Sequence, residues 1–286
     1  MAKRRCWGIY RERPHSPGRV DDDRAILDAV AVALLDYDLV AELLPAGAAD
    51  AAFASPGAGI FAMCEQDGII RRLAEAAQAG VPVVNTPQAV RNTYRRRTAE
   101  LFAICGVPSP VSRIVDTRAP AAAPGIPVWV KRPDFHATQT DDVVFAGSDA
   151  QWRSALAGFA KRGIEAVVVQ AHIPGDLVKF YGVAGGGADP AWFHWFHHKD
   201  QRLAGHAFTR EALQRAAFAA AGALGAAVFG GDAIVGADGA PQIIDLNAWP
   251  SFARCRAEAA AAIGRHLAHA FAAARLDSPF AASEME

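Results

Sequence analysis

The chain has 286 residues and a formal net charge of -1, with 52% hydrophobic and 21% charged residues. These proportions exclude disordered and fibrous classes, and the length supplies one large domain or two to three small ones with ample core. A near-neutral balance argues against a protein that coats nucleic acid or an acidic membrane, and leaves room for a local basic pocket. Cys6, Cys64, Cys105 and Cys255 form no C-x-x-C pair, so neither a zinc ribbon nor a secreted disulfide framework is expected, and a reducing, cytoplasmic setting is the simplest reading. The basic start has no apolar run behind it, which argues against a signal peptide. The longest charge-free stretch, 216–231, is mostly Ala and Gly and shorter than the roughly 18 residues of a membrane span.

In chain order, residues 7–10 predict a strand, 21–35 a helix with acids in its first turn, and 51–54 a second strand. Residues 67–79 predict a helix stopped by Gly80, and 81–85 a third strand. Strands alternating with helices up to Asn85 imply a small parallel α/β layer, residues 1–85. A second unit, 86–165, would hold a helix over 89–104 ended by Gly106, Pro108 and Pro110, an Ala/Pro-rich loop over 116–127, a strand over 127–131 and a helix over 149–162. The third unit, 166–286, has the strongest β pattern, with strands over 166–170, 177–183 and 192–197. A helix over 209–224 follows, with Thr209 as N-cap and Gly225 as stop. Strands 228–235 and 242–247 are joined by a turn at 236–239, and a last helix covers 253 to about 274.

The clearest chemical pattern lies on that hairpin. Side chains alternate along a strand, so Asp245 and Asn247 share a face and Ile244 and Leu246 take the other. The turn folds Asp232 back beside Asp245, where opposed Cβ atoms sit roughly 5 Å apart. Two carboxylates and an amide oxygen are hard ligands suited to Mg²⁺ that also binds substrate phosphates. Lys131 ends the apolar strand Val128–Val130 and can meet phosphate oxygens as a point charge. Gln170 ends another buried strand and runs into Ala171, His172, Ile173 and a Pro/Gly-limited segment whose backbone can read an adenine edge, with Asp176 placed to accept from ribose hydroxyls. Arg11, Arg13, His15 and Arg19 crowd an N-terminal loop suited to an anionic substrate, or simply to solvent. Arg254 and Arg256 follow the hairpin and either clamp a substrate carboxylate or phosphate or solubilise the next helix. His194, His197 and His198 suggest a metal cluster at first sight, but the Trp/Phe alternation makes the segment a strand and sets His197 on the opposite face.

In this order the segments VVNTPQAV (83–90), CGVPSP (105–110), VWVKRP (128–133), VVVQAHIPGD (167–176), GGDAIV (230–235) and IIDLNAWPSF (243–252) resemble the ATP-grasp superfamily. The likeness covers most of the chain. It implies an α/β fold of the α+β grasp type, in which a small parallel domain precedes a two-part grasp with antiparallel sheets. It also implies ATP and Mg²⁺ as cofactors, with Lys131 on the α- and β-phosphates, Gln170–Ile173 on adenine, Asp176 on ribose, and Asp232, Asp245 and Asn247 on one or two metal ions. The superfamily's first ATP-binding lysine matches Arg96, between Arg95 and Arg97. The resemblance extends to ribosomal-protein glutamate ligases and glutathione synthetase-like ligases, whose D-x-R arginine corresponds to Lys179, while the D-x-N at 245–247 is more similar to inositol polyphosphate kinases of the same fold. The expectation is a carboxylate–amine ligase that works through an acyl phosphate, with Lys179 and Arg254 as catalytic candidates. The alternative is a kinase for an alcohol on an anionic small molecule.

Overall fold

The computed structural model describes residues 3–276, except 17, 119–124, 126, 135–138 and 187–188. Three four-stranded sheets organise the chain. The first is built from β1 (Arg4–Ile9), α1 (Val20–Leu34), β2 (Leu39–Leu44), α2 (Asp50–Ala54), β3 (Ile60–Ala62), α3 (Asp67–Gln78) and β4 (Val83–Val84). Its strands are parallel in the order β2-β1-β3-β4. Helix α1 forms because Ile26, Leu27, Val30 and Leu34 recur on one buried stripe and Asp21–Asp23 meet the positive end of its dipole. The strand expected over 51–54 is helix α2, in line with the high helix propensity of its alanines. Strands β2 and β3 were not anticipated. β3 is three residues long and buried throughout, too short to show a period of two.

The second sheet is antiparallel. Helix α4 (Pro87–Asn92) and helix α5 (Arg95–Cys105) precede β5 (Ser112–Asp116), β6 (Val128–Lys131), β7 (Val143–Ala146), α6 (Asp149–Lys161) and β8 (Ala166–Ala171). The strand order is β5-β8-β6-β7. The single helix expected over 89–104 breaks at Tyr94, whose backbone is extended at φ -67°, ψ 133°. Gly106 closes α5 in the left-handed region, φ 65°. Helix α6 presses Trp152, Leu156 and Phe159 onto Val128, Val130, Val167 and Val169. Lys131 and Gln170 therefore project from the other face of the sheet. Because β8 pairs with both β5 and β6, this sheet extends to Ala171, beyond a division at 165. Much of the loop expected over 116–127 lies outside the described residues.

The third sheet is antiparallel in the order β10-β9-β11-β12, from β9 (Asp176–Val183), β10 (Trp192–His197), β11 (Val228–Val235) and β12 (Pro241–Ala248). Helix α7 (Arg210–Leu224) backs it with Leu213, Ala217 and Leu224 against Phe180, Phe229 and Leu246. The Thr209 hydroxyl accepts from the Ala212 N–H, and Gly225 ends the helix at φ 73°, as the sequence indicates. Helix α8 (Arg256–Leu276) returns to the first layer, where Ile263, Leu267 and Phe271 join Ile26 and Val30 in one core.

Asn85 joins the first layer to the third. Its Oδ1 accepts from the N–H groups of Ala227 (2.8 Å) and Val228 (2.9 Å), and its Nδ2 donates to the Val228 carbonyl (2.7 Å). The buried side chain thus acts as a strand partner for the start of β11. Asn85→Ala takes the side-chain acceptor from the Ala227 and Val228 N–H groups, while the Val228 carbonyl keeps the Trp249 N–H at 3.0 Å, and lowers the unfolding free energy by roughly 2–4 kcal/mol, measured as a fall in urea midpoint. An unchanged midpoint would show that water replaces the amide without cost.

Candidate active site

The register of the third sheet lays out a polar face. Phe196, Lys179, Asp232 and Asp245 lie opposite one another across its four strands, and His194, Tyr181, Gly230 and Asn247 form the adjacent row. Opposed residues share a face, so both rows point to the same side. Lys179 Nζ donates to Asp232 Oδ1 at 2.8 Å. Burial pushes the Asp232 carboxyl upward, and the neighbouring lysine opposes it. Gly230, opposite Asn247, is too crowded for a side chain, since a Cβ there would stand 2.7 Å from the Pro250 ring and 2.8 Å from the Tyr181 ring.

A β-bulge refines the alternation expected from sequence. The pairing runs Asp232 with Asp245 and then Ala233 with Ile243, so Ile244 is an extra residue. Its side chain lines the cleft beside Asp245 instead of facing away, and its carbonyl accepts from Lys131 Nζ at 3.2 Å. The same ammonium donates to Gln170 Oε1 at 2.8 Å. Burial lowers the Lys131 pKa to about 8, with Asp245 and Asp232 opposing that fall and Arg95 adding to it.

Two pockets flank the acid pair. One, of about 340 Å³, is lined by Arg95, Lys131, Val168, Gln170, Ile244 and Asp245. The helix break at Tyr94 makes Arg95 the first residue of α5, buried in this pocket, with Nη2 3.9 Å from Asp245 Oδ2. Arg96, the cation chosen from sequence, is exposed and outside the pocket, whereas its neighbour Arg95 lines it. One residue of helical rotation, about 100°, separates the two positions. Asp176 is also corrected. It is 2% exposed, and its carboxylate accepts from the N–H groups of Ala204 (2.6 Å), Gly205 (2.9 Å) and His206 (2.9 Å). Desolvation works against its charge, but those three bonds outweigh it and lower its pKa. It anchors a loop and does not face the pocket. In the expected hinge, the N–H groups of Ala171 and His172 are already engaged by the Val111 and Pro127 carbonyls, at 2.9 and 3.0 Å. His172 Nδ1 accepts from the Trp129 indole at 3.1 Å, and Ile173 is half-buried beside it.

The other pocket, of about 410 Å³, is lined by Arg19, Lys179, Tyr181, Phe196, Lys199 and Arg254, among others. His15 and His198 also reach it, whereas Arg13 is exposed elsewhere. Arg11 reaches it from the first layer but is committed to structure. Its guanidinium meets Glu65 at 2.6 Å and Asp23 at 3.3 Å and donates to the Trp249 carbonyl at 2.6 Å. Arg256 pairs with Asp22 at 2.9 Å and tethers α8 to α1, away from any substrate role. His197 packs on Trp195 and Phe208 on the face opposite the pocket, as the strand reading requires.

Among the described residues no group of three or more His, Cys, Asp or Glu side chains is placed to hold a metal ion. The remaining donor set is Asp232, Asp245 and Asn247. Asn247 Oδ1 is buried with no hydrogen-bond partner, which leaves an amide oxygen beside two carboxylates. That set fits a hard divalent cation which completes its shell with water or phosphate oxygen.

No family model and no curated protein matches the sequence. Solved structures do match the fold. A D-alanine–D-alanine ligase from Bacillus anthracis complexed with ATP superposes with a TM-score of 0.69 at 11% identity, covering 96% of this chain and 100% of that one. A RimK domain ATP-grasp protein from Sphaerobacter thermophilus gives 0.66 at 18% identity, over 92% and 99% of the chains. The D-alanine–D-alanine ligase of Coxiella burnetii gives 0.67 at 12% identity, over 95% and 96%. A parallel layer followed by two antiparallel sheets around a polar cleft is thus a known architecture. The chain has the ATP-grasp fold.

The buried lysine has a consequence for stability. The folded pKa of Lys131, about 8, lies below its ordinary value of 10.5, so between these limits the unfolded chain binds more protons. Below about pH 8 the full penalty for burying the charge applies, and it is relieved as pH rises to 10.5. Wild type therefore gains stability relative to Lys131→Met between pH 8 and 10.5, read from paired urea titrations. A constant difference across that window would contradict the burial of a charged ammonium.

Proposed function

We propose that the protein is a Mg-ATP-dependent carboxylate–amine ligase. The observation that carries this reading is the acid pair Asp232 and Asp245, set between Arg95 and Lys131 on one side and Lys179 on the other. Support also comes from the fold, shared with ligases of which one was solved with ATP.

In this reading the triphosphate lies in the pocket of Arg95 and Lys131, which offset the charge of its phosphoryl oxygens, and the base rests toward Gln170 and the hinge 171–173 that follows it, whose Ala171 and His172 N–H groups are not available to it. Asp232, Asp245 and Asn247 would hold Mg²⁺, which when bound neutralises phosphate charge and aligns the oxygens. Lys179, beside Asp232, meets the reacting carboxylate of the acceptor in the second pocket. A carboxylate oxygen attacks the γ-phosphorus, the bond to the β–γ bridging oxygen breaks, and ADP leaves. An amine then attacks the acyl carbon, loses a proton and displaces phosphate. The positive lining of the acceptor pocket also suits a second reading, a kinase that phosphorylates an alcohol on an anionic molecule. ADP release that needs both an acid and an amine, with hydroxylamine trapping an acyl phosphate, supports the ligase. A stable phosphate ester formed without amine overturns it in favour of the kinase.

The roles separate by mutation. Asp245→Ala abolishes Mg-dependent turnover, a loss of roughly 10²-fold or more, with the fold retained by circular dichroism. Arg95→Ala weakens nucleotide binding about tenfold or more, whereas Arg96→Ala changes it less than about twofold, since only Arg95 reaches the pocket. Equal effects of the two arginines would refute the placement of α5. Nucleotide affinity also falls as pH rises through about 8, where Lys131 loses its proton, and a flat profile from pH 7 to 9 would remove Lys131 from phosphate binding.

A further inference from the structure

We propose that the acceptor carries a second oxyanion remote from its reacting oxygen, held by Arg254 and Lys199 with Arg19 beside them. This deepens the ligase reading and rests on it. The basic groups of the acceptor pocket are not equivalent. Arg11 is neutralised by Glu65 and Asp23, and Lys179 is paired with Asp232. Arg19 has only a loose pairing with Asp22 at 3.7 Å. Arg254 and Lys199 have no acidic partner within ion-pair distance among the described residues, although both line the pocket. An anionic ligand would supply that partner.

Position sets the size of the ligand. The Arg254 guanidinium lies 4.5 Å over the Phe196 ring, which fixes its plane and leaves its N–H edge for a ligand oxygen. Phe196 stands on β10, two strand spacings or roughly 10 Å from Asp232 on β11, and Arg254 sits over the Phe196 ring while Lys179 Nζ leans the other way, onto Asp232. An oxyanion at Lys179 and Asp232 cannot serve both ends. Between them Tyr181 and Phe196, with ring centres 5.4 Å apart, give an apolar wall for the intervening carbon chain. The acceptor class is therefore a carboxylic acid with a distal carboxylate or phosphate, separated from the reacting group by a chain of several carbons.

Calorimetry on the full chain with Mg²⁺ and a non-hydrolysable ATP analogue tests this with three probes. They are hexanoate as the single anion, pimelate as the dicarboxylate and 6-phosphogluconate as the phosphorylated acid. Both two-headed acids bind about tenfold or more tightly than hexanoate, and their relative order tells a distal carboxylate site from a phosphate site. Arg254→Ala and, separately, Lys199→Glu remove that advantage, while affinity for hexanoate and for the nucleotide analogue stays within about twofold. Equal binding of hexanoate and the two-headed acids, or binding of the latter indifferent to both substitutions, overturns the proposal. Failure of the wild type to bind the nucleotide analogue would instead overturn the ligase reading, and that step is measured first.

Discussion

Two carboxylates facing each other across neighbouring strands repel, and the centre of this molecule is arranged around that repulsion. Asp232 and Asp245 are opposed in register, with Lys179 bonded to one and Arg95 lying near the other. Lys131 completes the compensation from the second sheet, where its ammonium is buried against the Ile244 carbonyl and the Gln170 amide. Each of these cations comes from a different element: β9, the start of α5 and the end of β6. Compensation of the acid pair therefore requires the three elements to converge, which couples the local electrostatics of β11 and β12 to the tertiary arrangement.

Much of this was legible in the residues. Strands β9 to β12 carry long alternating patterns, and a hairpin of known register is enough to oppose Asp232 and Asp245 and to bring Asn247 to the same face. Three features were not legible, each for a stated reason. The bulge at Ile244 is a property of pairing, invisible in one strand read alone. The choice between Arg95 and Arg96 depends on where α5 begins, and a run of three arginines gives no phase. The engagement of Asp176 by the 204–206 backbone joins positions 28 to 30 residues apart, beyond the reach of local pattern. Short elements such as β3 and β7 give too few residues for periodicity to show.

The same charges act against stability. An ammonium driven down to about 8 by burial is an ion the fold would shed if stability alone mattered. Its retention beside a pocket of Arg95, Gln170 and Asp245 makes sense when an incoming polyanion restores the missing negative field. In that state the lysine is again favoured in its charged form, so ligand binding and protonation reinforce each other. The orphaned Asn247 oxygen follows the same logic: a buried acceptor without a donor is unfavourable, and the cation of the proposed site would satisfy it.

The first layer then has a part in shaping the polar cleft as well as in the fold. Directly after Asn247 the chain turns sharply, with Trp249 at φ 46° and Phe252 at φ 49°, a region that costs a side-chain-bearing residue of order 1 kcal/mol or more. Such a turn persists only if its surroundings over-determine it. Here the Trp249 ring is buried against Phe61 in the first layer, its indole donates to the Val84 carbonyl, and Arg11 holds the Ala248 and Trp249 carbonyls while itself clamped by Glu65 and Asp23. Asn85 fixes the start of β11 in the same way, one strand over. The end of β12 that carries Asn247 is thus positioned from outside its own sheet. A small parallel layer that contributes none of the acid pair nevertheless sets where the amide oxygen beside that pair points.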